Sequence, residues 1–151
     1  MFRAGESFGL TPSGLAARNT LRLEMKYPLY GSDITDKTTP LEAGLGWIVK
    51  FGTGFIGESR LREIKSEGIK RKLIGFEMID AGIAREGYPV ISGGERSGEV
   101  TSGGYSPSLD KSIGLAYVPI EYSAIGSPLS VEIRGRRREA RVVPTPFYKK
   151  K

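Results

Sequence analysis

From Leu73 onward apolar and polar residues alternate with a period of two, the pattern of half-buried strands. The alternation predicts strands at Leu73–Ile79, Tyr88–Ile91, Glu95–Ser102, Ile113–Val118, Leu129–Arg134 and Arg138–Val143, with Gly, Pro, Ser and Asp between them. Six short strands at this spacing suggest an antiparallel barrel or sandwich. The chain before Leu73 reads differently. Met1 to Leu10 looks like a short helix stopped at Phe8-Gly9, and Thr11-Pro12-Ser13 can cap a second one. From Gly14 the pattern is ambiguous: Leu15, Ala16 and Ala17 favour helix, whereas Leu21, Leu23 and Met25 alternate as in a strand. Tyr27 to Pro40 reads as loop, Trp47 to Phe51 as a strand, and Glu58 to Ser66 as a charged helix closed by Gly68.

Composition narrows the chemistry more than the fold. The 151 residues suit about one domain, and 21 glycines fit a chain of many turns. There is no cysteine and no histidine. That excludes disulfides, thiolate zinc and iron–sulfur sites, a Ser-His-Asp triad and any His-ligated metal. Acid–base chemistry must come from Asp, Glu, Lys or Tyr, or from another chain. No apolar run reaches the roughly 18 residues that would cross a bilayer, and no signal-peptide pattern opens the chain. The expectation is a soluble cytoplasmic protein with no membrane partner and no metal.

Two local patterns invite a functional reading and resist it. Gly52 to Gly57 spells GxGxxG between a predicted strand and a helix. The helix opens with Glu58, whose charge would repel phosphate, and antiparallel hairpins come next instead of βαβ units. A tight glycine turn is the better account. Arg134, Arg136, Arg137, Arg138 and Arg141 cluster around Gly135, within the formal net charge of +6, and Lys70-Arg71-Lys72 forms a second basic group. Residues 131–143 contain no aromatic to stack a base, so a solvated or partner-facing patch is expected, not a nucleic-acid site. Lys149-Lys150-Lys151 reads as a frayed tail.

Longer segments carry a resemblance. Gly14-Leu-Ala-Ala-Arg18-Asn-Thr-Leu-Arg22-Leu-Glu24, Leu29-Tyr-Gly-Ser-Asp33-Ile and Thr39-Pro-Leu-Glu42-Ala-Gly-Leu-Gly-Trp47 come first. Gly98-Glu-Val-Thr-Ser102-Gly-Gly-Tyr-Ser106-Pro-Ser-Leu109, Ile113-Gly-Leu-Ala-Tyr-Val-Pro119 and the ending Thr145-Pro-Phe147-Tyr148-Lys succeed them in order. Together they resemble the C-terminal part of the glycine cleavage system T-protein, a tetrahydrofolate-dependent aminomethyltransferase. The resemblance implies a mainly β chain with short helices. Residues 1–33 would be the tail of a folate-binding α+β domain, 34–68 a connector with a short helix, and 69–151 a six-stranded antiparallel β-barrel domain.

The same resemblance supplies the function. It implies transfer of a one-carbon unit from the aminomethyl-lipoyl arm of H-protein to tetrahydrofolate, with release of ammonia. The family's aspartate at the reacting folate nitrogen, and most of its pterin pocket, lie upstream of the matched portion. This chain is therefore expected to be inactive until a missing N-terminal half completes it. The arginine of the family's ARD motif maps onto Arg18, where a guanidinium suits an anionic substrate group. The next position departs from the family, with Asn19 in place of aspartate. Tyr148 is the nearest match to a substrate-contacting aromatic near the C-terminus, with Phe147 as competitor. Alternatives are the folate module of a sarcosine or dimethylglycine dehydrogenase-like protein, an iron–sulfur assembly relative, and a non-catalytic barrel that docks partners.

Overall fold

The structure, a computed structural model, describes residues 1–149; Lys150 and Lys151 of the expected frayed tail lie outside the described residues. Three α-helices precede six strands: α1 (Phe2–Gly5), α2 (Leu15–Glu24), α3 (Glu58–Glu67), β1 (Arg71–Met78), β2 (Pro89–Ser92), β3 (Glu95–Ser106), β4 (Lys111–Pro119), β5 (Pro128–Ile133) and β6 (Arg136–Val143). All pairings are antiparallel, and the strands close as β1-β4-β3-β2-β5-β6 with β6 returning to β1. Closure pairs every edge, which settles barrel over sandwich.

Alternation decides what fills the barrel. Ile74, Phe76 and Met78 of β1 point inward beside Val90, Val100, Ala116, Val118, Val131 and Val142, and Phe76 is fully buried. Each such side chain contributes about 1.5–3 kcal/mol by leaving water. The opposite face of β1 and β4 is covered as well. Leu73, Ile113, Leu115 and Tyr117 pack there against Leu23 of α2, with Phe147 beside them. This wall is buried on both faces, so its strands read as almost continuous apolar runs.

Three sequence expectations need correction. Trp47 to Phe51 is no strand: Gly46–Ile48 forms a 3₁₀ turn, and Trp47 and Ile48 are exposed without a pairing partner. The ambiguity from Gly14 resolves as helix, since α2 runs from Leu15 to Glu24 with Met25 as its C-cap, against the strand-like alternation of Leu21, Leu23 and Met25. Its N-cap is Gly14, which offers no side-chain oxygen, so the Thr-Pro-Ser segment does not cap it.

The connector docks through one carboxylate. Glu42 Oε2 accepts from the Thr39 amide at 2.9 Å and the Thr39 hydroxyl at 3.0 Å, while the Glu42 amide donates to Thr39 Oγ1. This is the reciprocal geometry of a capping box. Oε1 takes Arg71 Nε at 2.8 Å, and the Leu73 amide donates to the Glu42 carbonyl. Partial burial alone would raise the Glu42 pKa, but the Arg71 and Thr39 hydrogen bonds outweigh it and hold the carboxyl below its usual value. A lowered carboxyl pKa stabilises the fold above about pH 4.3, and the gain is lost as pH falls through the folded value. Glu42→Gln is therefore expected to cost on the order of 1 kcal/mol at pH 7, because Arg71 is partly solvated. The difference from wild type should shrink and vanish as pH falls through the folded value. Thermal melts of both proteins across that range check it.

Candidate functional site

Asp33 is the best-connected polar group where α2, its following loop and the barrel meet, and it is fully buried. Its Oδ2 accepts from Arg22 Nη1 at 2.5 Å and from the Leu29 amide at 2.8 Å. Its Oδ1 accepts from Thr101 Oγ1 at 2.6 Å and Ser102 Oγ at 2.7 Å. Adjacent strand residues normally face opposite sides. Here Val100 pairs with Ala116 and Ser102 with Leu115, so Thr101 is the extra residue of a β-bulge. The bulge lets two neighbouring hydroxyls converge on one carboxylate oxygen. Tyr117 completes the anchor by donating its hydroxyl to the Asp33 carbonyl at 3.0 Å. Burial pushes the Tyr117 phenol up, so it stays a donor at neutral pH.

Arg22 spends its whole guanidinium on architecture. Besides Asp33, it donates through Nε and Nη2 to Asn19 Oδ1 at 2.8 and 2.6 Å, and through Nη2 to Ser102 Oγ at 2.9 Å. Asn19, which stands where the family resemblance led us to expect aspartate, is thus an acceptor for the arginine one turn on. One turn beyond, the buried Glu24 accepts from Ser106 Oγ at 2.6 Å, and its carbonyl accepts the Tyr148 amide at 3.0 Å. Lys26 adopts a φ of 54° and donates Nζ to the Leu73 carbonyl at 3.3 Å. Burial, helped by Lys72, lowers its pKa.

Over this network lies an open cleft of about 570 Å³. Leu15, Arg18, Asn19 and Arg22 of α2 line one side, Leu29 and Ser32 the floor, and Arg85, Glu86, Ser102 and Gly103 the other. Gly103 is required here: a β-carbon on it would sit 2.5 Å from the Ala84 carbonyl oxygen. Arg18 is exposed and makes no side-chain hydrogen bond or ion pair among the described residues. Tyr148 does not line this cleft. It sits at the other end of α2, 41% exposed, with its backbone tied to Glu24. Phe147 instead lies against Gly75 and packs with the Leu73 cluster. The structure therefore separates the two site residues that sequence singled out. Asp33, Thr101, Ser102 and Arg22 escaped the sequence reading as a unit, because only the bulge brings them together.

The GxGxxG turn is occupied by the chain itself. Glu58 accepts the Gly52 amide at 2.6 Å and the Gly54 amide at 2.9 Å, and pairs with Arg62. The Gly52 amide, then Arg62, lowers the Glu58 pKa. A carboxylate stands where a phosphate would have to bind. Among the described residues no group of three or more Asp or Glu is placed to hold a metal ion, and no helix is long and apolar enough to cross a membrane.

Residues 71–149 match the family described as the glycine cleavage T-protein C-terminal barrel domain, and residues 1–53 match the GCVT N-terminal domain. An aminomethyltransferase of Symbiobacterium thermophilum is 56% identical over 99% of this chain and 40% of its own length. One from Bacillus subtilis is 51% identical over 97% of the chain and 41% of its own length. The crystal structure of glycine cleavage system aminomethyltransferase T from Bartonella henselae superimposes with a TM-score of 0.85 at 36% identity, over 89% of this chain and 39% of that one. The chain spans about two fifths of the length of these relatives.

Proposed function

Because the chain belongs to the glycine cleavage T-protein family, we propose that it is the C-terminal portion of a tetrahydrofolate-dependent aminomethyltransferase. The completed enzyme moves the one-carbon unit of an aminomethyl group on the lipoyl arm of H-protein to tetrahydrofolate. The products are methylenetetrahydrofolate, ammonia and the dihydrolipoyl arm. Residues 1–33 are the tail of the folate-binding domain, 34–68 the connector and 69–151 the barrel domain. The setting is the cytoplasm.

One observation carries this reading. The Asp33 anchor engages all three Arg22 nitrogens, yet Arg18, one turn earlier over the cleft, has no side-chain partner among the described residues. A guanidinium so held offers a planar fork to a carboxylate or another anionic group of the folate substrate. Its share of the reaction is binding and orientation, while folate and the lipoyl arm carry the chemistry. Tyr148 is the second substrate contact, reached from the end of α2.

The apolar surface of the first segment supports an upstream partner. Phe8, Leu15, Leu21, Trp47 and Ile56 are all exposed, and only Leu23, Glu24, Asp33 and Ala43 are buried before Gly57. Such a surface fits the upstream portion that the relatives carry. The test supplies aminomethyl-loaded, lipoylated H-protein and tetrahydrofolate, first to the chain alone and then with the N-terminal portion of a close relative. No turnover alone and turnover on completion is the expected result. Turnover by the chain alone would refute the incomplete pocket, and silence after completion would refute the assigned function.

A further inference from the structure

Pairing between β1 and β6 ends at Gly75 and Val143, while β1 itself runs back to Arg71. Other segments finish the freed edge: the Leu73 amide donates to the Glu42 carbonyl, and Lys26 Nζ donates to the Leu73 carbonyl. Lys26 reaches that carbonyl from a left-handed backbone conformation, φ 54°, where glycine is the residue of least strain. The hydrogen bond accounts for one lysine at this edge. It does not account for a second. Lys72 has the same strand parity as the core residues Ile74 and Phe76, so it extends their inward-facing row to the barrel end that β6 leaves open. There both lysines line one cleft of about 190 Å³, together with Ser123 and Thr145. No acidic residue lines it, and neither lysine makes an ion pair among the described residues.

Two amines without a counter-charge give this cleft two chemical capacities. Burial, and after it the Lys72 charge, disfavours the protonated form of Lys26 and holds its pKa below the usual lysine value. Lysines kept from water or set beside another cation are activated as nucleophiles in this way. Lys72 adds a compact point charge, a donor that suits the tetrahedral oxygens of a phosphate. The Ser123 hydroxyl is committed to the Ile120 carbonyl, which leaves the lysines as the charged donors. An acyl phosphate uses both capacities, and the small volume admits a phosphate with a short acyl group but no nucleotide carrier. We propose that Lys26 is a modification site, acylated by a small acyl phosphate whose phosphoryl group rests on Lys72. The amine lone pair attacks the acyl carbonyl and forms a new N–C bond. The acyl C–O bond to phosphorus breaks, and inorganic phosphate leaves with its electron pair and takes up the proton shed by the amine. The product amide keeps one N–H for the Leu73 carbonyl, so the strand end stays satisfied while one of the two like charges is gone.

The test treats the full 151-residue chain with acetyl phosphate for timed intervals and follows acetylation at each lysine by peptide mass spectrometry. Lys26 should react at least about tenfold faster than Lys37 and Lys50, which stand exposed on the surface. Added inorganic phosphate should compete at Lys72 and slow the reaction at Lys26. N-acetoxysuccinimide, an acetyl donor without phosphate, should still favour Lys26 but should not respond to inorganic phosphate. Lys72→Gln should cut the Lys26 rate with acetyl phosphate by more than the rate with the uncharged donor. Should that variant melt early, the phosphate competition on the native chain still decides. Lys26 reacting no faster than Lys37 and Lys50 overturns the proposal. So does an acetyl phosphate rate at Lys26 that inorganic phosphate leaves unchanged, which would show a reactive lysine without a phosphate site.

Discussion

Asp33→Ala is expected to destabilise the junction of α2 with the barrel by about 3–5 kcal/mol, the cost of breaking a buried ion pair from one side. The carboxylate is fully buried and accepts four hydrogen bonds, from Arg22, Leu29, Thr101 and Ser102. Alanine leaves those donors facing one another, and an arginine that is itself only 12% exposed loses its counter-charge. The barrel core does not include Asp33, so opening should begin in α2 and in the loop from Leu29 to Ile34. Denaturant titration gives the total, and hydrogen exchange shows whether protection is lost there before the strands. Asp33→Asn should cost less but not vanish, since its amide nitrogen must meet a donor. A double-mutant cycle with Arg22→Ala isolates the pair, and independent effects would show that it is not the anchor.

The barrel was legible because alternation is a local signal. Leu73 to Ile79 and Ile113 to Val118 show it over a few residues, and each of the six strands predicted from Leu73 onward lies largely within an observed one, whereas the strand predicted at Trp47 to Phe51 is absent. The differences have physical causes. β3 runs on to Ser106 through Gly103, a weak strand former whose missing β-carbon admits the close approach of the Ala84 carbonyl. α2 looked strand-like because Leu21 and Met25 are apolar yet exposed, and only Leu23 faces the barrel. Glu58 at the head of α3 did betray the glycine turn, and the structure puts its carboxylate on the turn amides. The Asp33 anchor was illegible for the opposite reason. It joins positions 69 residues apart through a bulge that no short window encodes. The Thr39-Glu42 capping box was readable as a motif, but its attachment to Arg71 was not.

In the completed enzyme, Arg18→Ala is expected to weaken folate binding by about 1.5–3 kcal/mol, or roughly tenfold to more than a hundredfold. The side chain is exposed and makes no ion pair or hydrogen bond among the described residues, so no contact of the described fold is lost with it. Melting temperature should stay within the small range of ordinary surface substitutions. Arg18→Lys separates charge from geometry, because an ammonium keeps the charge and gives up the planar fork. An intermediate affinity for Arg18→Lys would point to a bidentate contact with a carboxylate, and full retention to a simple field effect. Arg22→Ala is the contrasting control. Its guanidinium already serves Asp33, Asn19 and Ser102, so its loss should lower the melting temperature first and folate affinity only as a consequence. If Arg18→Ala leaves affinity unchanged but lowers the melting temperature as Arg22→Ala does, Arg18 is a structural residue and the substrate must be held from the upstream portion alone.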